Sequence, residues 1–355
     1  MIDLGELVAA QVFDARPVRP GLGLLHVPFD ELTGTATAEA VLVREMRDGG
    51  RAAVTGRSGM GKSSMITYCL DQLADAVADL RIPVAAEADE LVRDVGRFAA
   101  HMIALLLRQA QTAQSMSAED RSRAVAAVAA PVTRERRERH HYGVGLPRWL
   151  LVGDAAAEVE SVLTVRAEPS TSEIIGTLQH LLAVVSGRGG QPVIVLDDSD
   201  AWLETPVGDR TSLIGPFFAH VLPTLVSEVG GGWMVAVHDH YLERADFPRD
   251  TGALTTAVAV PALPDQAALT RILAERVSGS LVEPDPAAVA VVLTEPALAA
   301  IWDRYLGSDG NIRLPLQLAH TALQVAWEED ATEVSLTHVQ VAATRFPFGE
   351  GPAHR

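Results

Sequence analysis

Nine consecutive residues, Gly56, Arg57, Ser58, Gly59, Met60, Gly61, Lys62, Ser63 and Ser64, hold the densest chemistry in the chain, and Lys62 is the single lysine among 29 Lys and Arg residues. Glycines at 56, 59 and 61 permit positive φ and close backbone approach, so that successive amides can turn inward as an anion nest. A helix starting near Lys62 adds the positive end of its dipole. Lys62 brings a compact point charge on a flexible stem, suited to following β and γ phosphates, and Ser63 brings a hydroxyl oxygen for Mg²⁺. The pattern G-x-x-x-x-G-K-[ST] therefore points to a nucleoside triphosphate, taken as ATP, held with Mg²⁺.

A second group of acids lies downstream. Pro192 to Leu196 is an apolar, β-branched run that ends in Asp197 and Asp198. In a parallel sheet such a strand is buried on both faces, so its acids emerge at the C-terminal edge, where ligands of α/β sheets bind. Asp197 is the expected Mg²⁺ partner opposite Ser63, and Asp198 the group that orients and deprotonates an attacking water; Asp200 is held in reserve. The run Gly232 to Val237 ends in His238, Asp239 and His240. His238 is placed to meet the γ phosphate or the water. The His238/His240 spacing also suits a metal pair, but no third ligand is evident nearby.

These groups need a scaffold. Strands are expected at 51–55, 81–86, 192–198, 232–237 and 255–260, with helices at 37–47, from Lys62 onward, 90–114 and 172–186. Residues 115–172 are not needed by this alternation and are taken as an insertion, with a hairpin from 149–154 and 159–167 and a basic cluster, Arg134 to His141. That cluster is either a solvated, salt-bridged helix face or a contact for nucleic acid or an acidic partner. Ahead of the first helix, Val27 and Phe29 either wall an adenine ring or pack onto the core. After 262 the pattern is almost wholly helical, at 266–277, 286–293, 296–306, 314–328 and 337–344. The expected organisation is an N-terminal segment (1–35), a nucleotide-binding α/β domain (36–262), a small helical domain (263–345) and a tail (346–355).

The chain has 355 residues, 48% of them hydrophobic, and a net charge of −17. That suits a packed globular protein and argues against passive binding to nucleic acid or an anionic membrane. Cys69 is the lone cysteine, so an intrachain disulfide framework and a cysteine-rich zinc site are excluded and a reducing compartment is implied. With no basic leader and no apolar run of spanning length, a cytoplasmic protein is expected.

Together, Gly56 to Ser63 and Val193 to Asp198 resemble the motifs of AAA+ ATPases, nearest to the origin-recognition and STAND-like branches, over most of residues 25 to 345. The resemblance implies a P-loop NTPase fold with a five-stranded parallel sheet and a C-terminal α-helical lid. It implies that Arg313, after Gly310, reports the γ phosphate to the lid. It further implies an arginine finger reaching a neighbouring subunit of a homo-oligomer, with Arg249 the better match and Arg244 second. Departures are Asp198 where many relatives have glutamate, His238 where a small polar residue is usual, and a long Lys62 to Asp197 spacing that the insertion explains. A winged-helix DNA reader, usual after the lid in origin-recognition proteins, is not expected from this sequence.

The leading expectation is an ATPase whose nucleotide state controls a partner protein or assembly. Two readings stand beside it: a nucleotide-gated switch or scaffold with little hydrolysis, and a DNA-directed loader or motor in replication, transposition or defence, acting through the Arg134 to Arg139 cluster.

Overall fold

The computed structural model describes residues 2–14, 25–34, 37–74, 76–82, 93–113, scattered positions between 117 and 127, and 169–187, 190–197, 217–239, 252–281 and 283–345. In chain order the elements are α1 (Leu4–Ala9), α2 (Phe29–Thr33), α3 (Ala38–Arg47), β1 (Arg51–Thr55), α4 (Lys62–Asp71), β2 (Val77–Ile82), α5 (Val95–Ala113), α6 (Thr171–Ser186) and β3 (Gln191–Leu196). A short π-helix (Phe217–Val221), α7 (Leu222–Glu228), β4 (Gly232–Val237) and β5 (Thr256–Ala259) follow. The chain then continues as α8 (Gln266–Ser278), α9 (Ala288–Val292), α10 (Glu295–Leu306), α11 (Arg313–Glu328) and α12 (Leu336–Arg345).

Among the described residues the strands form one five-stranded parallel sheet in the order β2-β3-β4-β1-β5. Because β4 lies between β1 and β3 although it follows both in sequence, the connections are crossovers, as parallel pairing requires. β3 pairs in parallel with both β2 and β4, Leu196 lying opposite Ile82 on one side and Val235 on the other. Its last four residues are buried, as is all of β4, which explains their uninterrupted apolar spelling.

Two compact units can be distinguished. One comprises Arg44–Ala53 and Leu73–Ala257. Its core joins Leu80 and Ile82 of β2, Ile194 and Leu196 of β3 and Trp233 and Val235 of β4 to α5, α6, the π-helix and α7. Phe98, Phe217 and Phe218 meet there, with ring centroids 5.4 and 5.2 Å apart along the chain of contacts. Helix α6 starts with a capping box: Ser170 accepts from the Glu173 amide, and the Glu173 carboxylate accepts from the Ser170 amide.

The other unit comprises Met1–Val43, Val54–Gln72 and Val258–Arg355. Within it α10, α11 and α12 pack on one another, α1 lies on α11, and α8 meets α2, α9 and α10. Asp265 caps α8 by accepting from the Ala268 amide at 2.9 Å. The α9–α10 and α11–α12 connections are joined by a parallel bridge, Leu293 to Val334.

The strands at 51–55 and 232–237 lie where the sequence predicts them. The second strand, Val77–Ile82, begins ahead of the expected 81–86, of which residues 83–86 lie outside the described residues. Its register against Gln191–Leu196 buries Leu80 and Ile82. The 90–114 helix begins only at Val95. The N-terminal segment holds two short helices, and the π-helix and α7 are further elements beyond the sequence expectation; the spacing of Phe217, Phe218, Val221, Leu222, Leu225 and Val226, all buried, is their signal. The expected hairpin and the Arg134 to His141 cluster lie outside the described residues.

Candidate functional site: a phosphate-binding loop

β1 ends at Thr55, a buried residue whose carbonyl accepts from the Val260 amide at 2.9 Å, and the chain turns directly into Gly56. Gly59 and Gly61 have φ of +79° and +103°. Gly61 is the residue before α4 and has no side chain with which to cap it, so no cap side chain competes for the first-turn amides. That is the cradle an anion needs, and it fits phosphate. Arg57 and Ser58 are exposed, whereas Gly56 and Met60 are buried. The Met60 sulfur accepts from the Arg57 amide at 3.1 Å and closes the loop on itself.

Lys62 is buried, and its ammonium lies in the mouth of the loop, donating to the carbonyls of Gly56 at 2.5 Å and Arg57 at 3.2 Å. Ser63 and Ser64 are half-buried on the first turn of α4.

Behind the loop is a polar cluster that the sequence does not announce. The Glu39 side chain, only 10% exposed, accepts from the Phe29 amide at 2.8 Å and pairs with His26 Nε2 at 3.0 Å. Burial pushes its carboxyl up, but the hydrogen bonds from His26 and Phe29 outweigh that and hold it below the usual carboxylate range. An ionised Glu39 makes Nε2 the donor, so in the neutral ring Nδ1 accepts from the Ser64 hydroxyl, 3.2 Å away. The imidazole is enclosed by Tyr68, at 4.8 Å between centroids, and by Phe29, edge-on at 5.6 Å. Val27 and Phe29 are thus buried, with Phe29 packed on His26. Cys69 lies beneath, its thiol pushed up to about 12 by burial and by the nearby Glu39 charge, and stays a neutral packing group.

In front of the loop, the turn from Ser308 to Ile312 leads into α11. The Ile312 amide donates to the Gly59 carbonyl at 3.0 Å, and Arg57 Nη1 pairs with Asp309 Oδ2 at 2.8 Å. Arg313 is the first residue of α11, half-buried, with its amide donating to Asn311 Oδ1 at 2.9 Å. Arg313 therefore begins a 16-residue helix directly after the turn that touches Gly59.

In the other unit, Asp197 follows β3 and His238 follows β4, both half-buried. Asp198, Asp200, His240, Arg244 and Arg249 lie outside the described residues. Among the described residues no group of three or more His, Cys, Asp and Glu gathers as a metal site, and no helix is long and apolar enough to cross a membrane.

No family model and no curated protein matches this sequence. Solved structures do. The fold is similar to that of the Aeropyrum pernix ORC1 protein in complex with DNA, at 17% identity and a TM-score of 0.50, covering 90% of this chain and 66% of that one. It is similar also to the Aeropyrum pernix ORC2 protein in ADPNP-ADP complexes, at 14% identity and a TM-score of 0.52, covering 94% and 71%. The ADP form of ORC2 gives 15% identity and a TM-score of 0.50, covering 94% and 72%. At these identities the likeness is one of fold, and the chain spans about two thirds of the length of the ORC1 chain.

Proposed function

We propose that this chain is an AAA+ type ATPase that binds ATP with Mg²⁺, hydrolyses it, and uses its nucleotide state to control a partner protein or assembly. The observation that carries this reading is the phosphate-binding loop itself: positive-φ glycines at 59 and 61, a helix start behind them, and the only lysine of the chain in the loop mouth. The fold it shares with proteins solved as ADP and ADPNP complexes supports nucleotide as the ligand.

In this reading Gly56 to Ser64 hold the phosphates and Lys62 exchanges its loop carbonyls for phosphate oxygens. Ser63 and Asp197 would hold Mg²⁺, which supplies charge neutralisation when bound. Asp198 orients and deprotonates the attacking water, His238 contacts the γ phosphate or that water, and Arg313 joins from the start of α11. Residues 263–345 act as the lid, and Arg249 reaches a neighbouring subunit in a homo-oligomer.

A DNA-directed role is the second reading, favoured by the likeness to a protein solved with DNA. The net charge of −17 weighs against it. The test is steady-state phosphate release with ATP binding measured in parallel. Asp198→Asn should retain binding and lose most turnover; turnover at the wild-type rate in that variant removes the hydrolytic assignment.

A further inference from the structure

The lid turn grips the tip of the phosphate-binding loop at Gly59, and the gripping residue is Asn311. Asp309 and Gly310, at φ of +53° and +85°, reverse the chain there. Ser308 ties the turn together, its carbonyl accepting from the Asn311 amide and its hydroxyl donating to the Asn311 carbonyl, both at 3.2 Å. The Asn311 side chain then does two things at once. Its Oδ1 accepts from the Arg313 amide at 2.9 Å, fixing the first turn of α11. Its carboxamide also lies against the Cα of Gly59, where any Cβ would overlap it. Gly59 is therefore required for a reason beyond its positive φ: a side chain from the lid occupies the space a Cβ would take.

We propose that Asn311 is a positioning residue that ties the conformation of the loop tip to the orientation of Arg313. The Ile312 amide to Gly59 carbonyl bond, 3.0 Å, runs alongside and makes the junction two-stranded. A phosphate that reshapes the tip must shift Asn311, and a shift of Asn311 turns the residue whose amide it holds. The inference rests on the nucleotide-binding reading and deepens it: Asn311 acts through Arg313, so its loss falls on the phosphate that Arg313 reaches and spares those held by the loop alone.

The experiment titrates the full-length chain with fluorescent ATP and ADP analogues in Mg²⁺, in wild type, Asn311→Asp, Asn311→Ser, Asn311→Ala and Lys62→Ala, with a thermal melt of each. Serine can still cap the helix but is too short to cover Gly59, whereas aspartate keeps both contacts. Asn311→Ser and Asn311→Ala should lower the ATP-over-ADP preference about tenfold, through weaker ATP binding, while Asn311→Asp stays within about twofold of wild type. Capping alone would instead give a melting loss in Asn311→Ala, none in Asn311→Ser, and an unchanged preference in both; that result overturns the proposal. So does an Asn311→Asp variant as impaired as Asn311→Ala. If wild type and Lys62→Ala bind ATP alike, the nucleotide-binding reading fails first and this inference with it. If Lys62→Ala loses ATP while every Asn311 variant keeps the wild-type preference, only this inference fails.

Discussion

The Gly56–Ser64 loop is held from two sides, and the two holds differ in kind. Behind it, His26, Glu39 and the half-buried Ser64 form a largely buried network in which the carboxylate has two partners. In front of it, the Ser308–Ile312 turn meets the loop through Asn311, one backbone bond and the Arg57–Asp309 pair, whose side chains are 48% and 81% exposed. A buried polar network is costly to open, because each group left without its partner keeps its desolvation penalty. An exposed ion pair exchanges readily with water and is screened by salt. The rear hold is thus built to stay and the front hold to let go.

The rear hold breaks with the largest effect. Glu39→Ala removes the acceptor of two buried donors and should cost about 3 kcal/mol in urea unfolding; a loss below about 0.5 kcal/mol would place Glu39 on the surface in energetic terms. Gly59→Ala comes next. It forces a side chain into the left-handed region and into Asn311, at a cost of about 2 kcal/mol in the same assay.

Acid sharpens the contrast. The folded pKa of Glu39 is below its unfolded one, so its contribution is complete above the ordinary carboxylate range and is lost as pH falls through the folded value. The stability gap between wild type and Glu39→Gln should accordingly shrink as pH is lowered through that window and stay constant above it. The smallest effect belongs to the front: Asp309→Ala should change stability by less than about 0.5 kcal/mol, and that little should vanish in high salt.

What the sequence makes legible follows from distance along the chain. Gly56 to Ser64 can be read because the glycines, the lysine and the helix start that shape the loop lie within nine contiguous residues. β4 can be read because both of its faces are buried, so all its side chains are apolar or small. The start of β2 is hard to read because the charged Arg81 stands between Leu80 and Ile82 and dilutes the apolar run. The His26 network escapes notice for two reasons. Its partners stand 13 and 38 residues apart, and a buried glutamate contravenes the expectation that carboxylates face water. Asn311 escapes because its neighbour Gly59 belongs to a remote segment, and the motif alone explains that glycine well enough that no second reason is sought.

The central claim, that the loop around Lys62 binds a nucleoside triphosphate, is tested most directly by calorimetric titration of Mg-ATP into the wild-type chain and Lys62→Ala. Removing the ammonium from the loop mouth should weaken binding at least about 100-fold without unfolding the chain. Equal affinities in the two proteins would contradict the account.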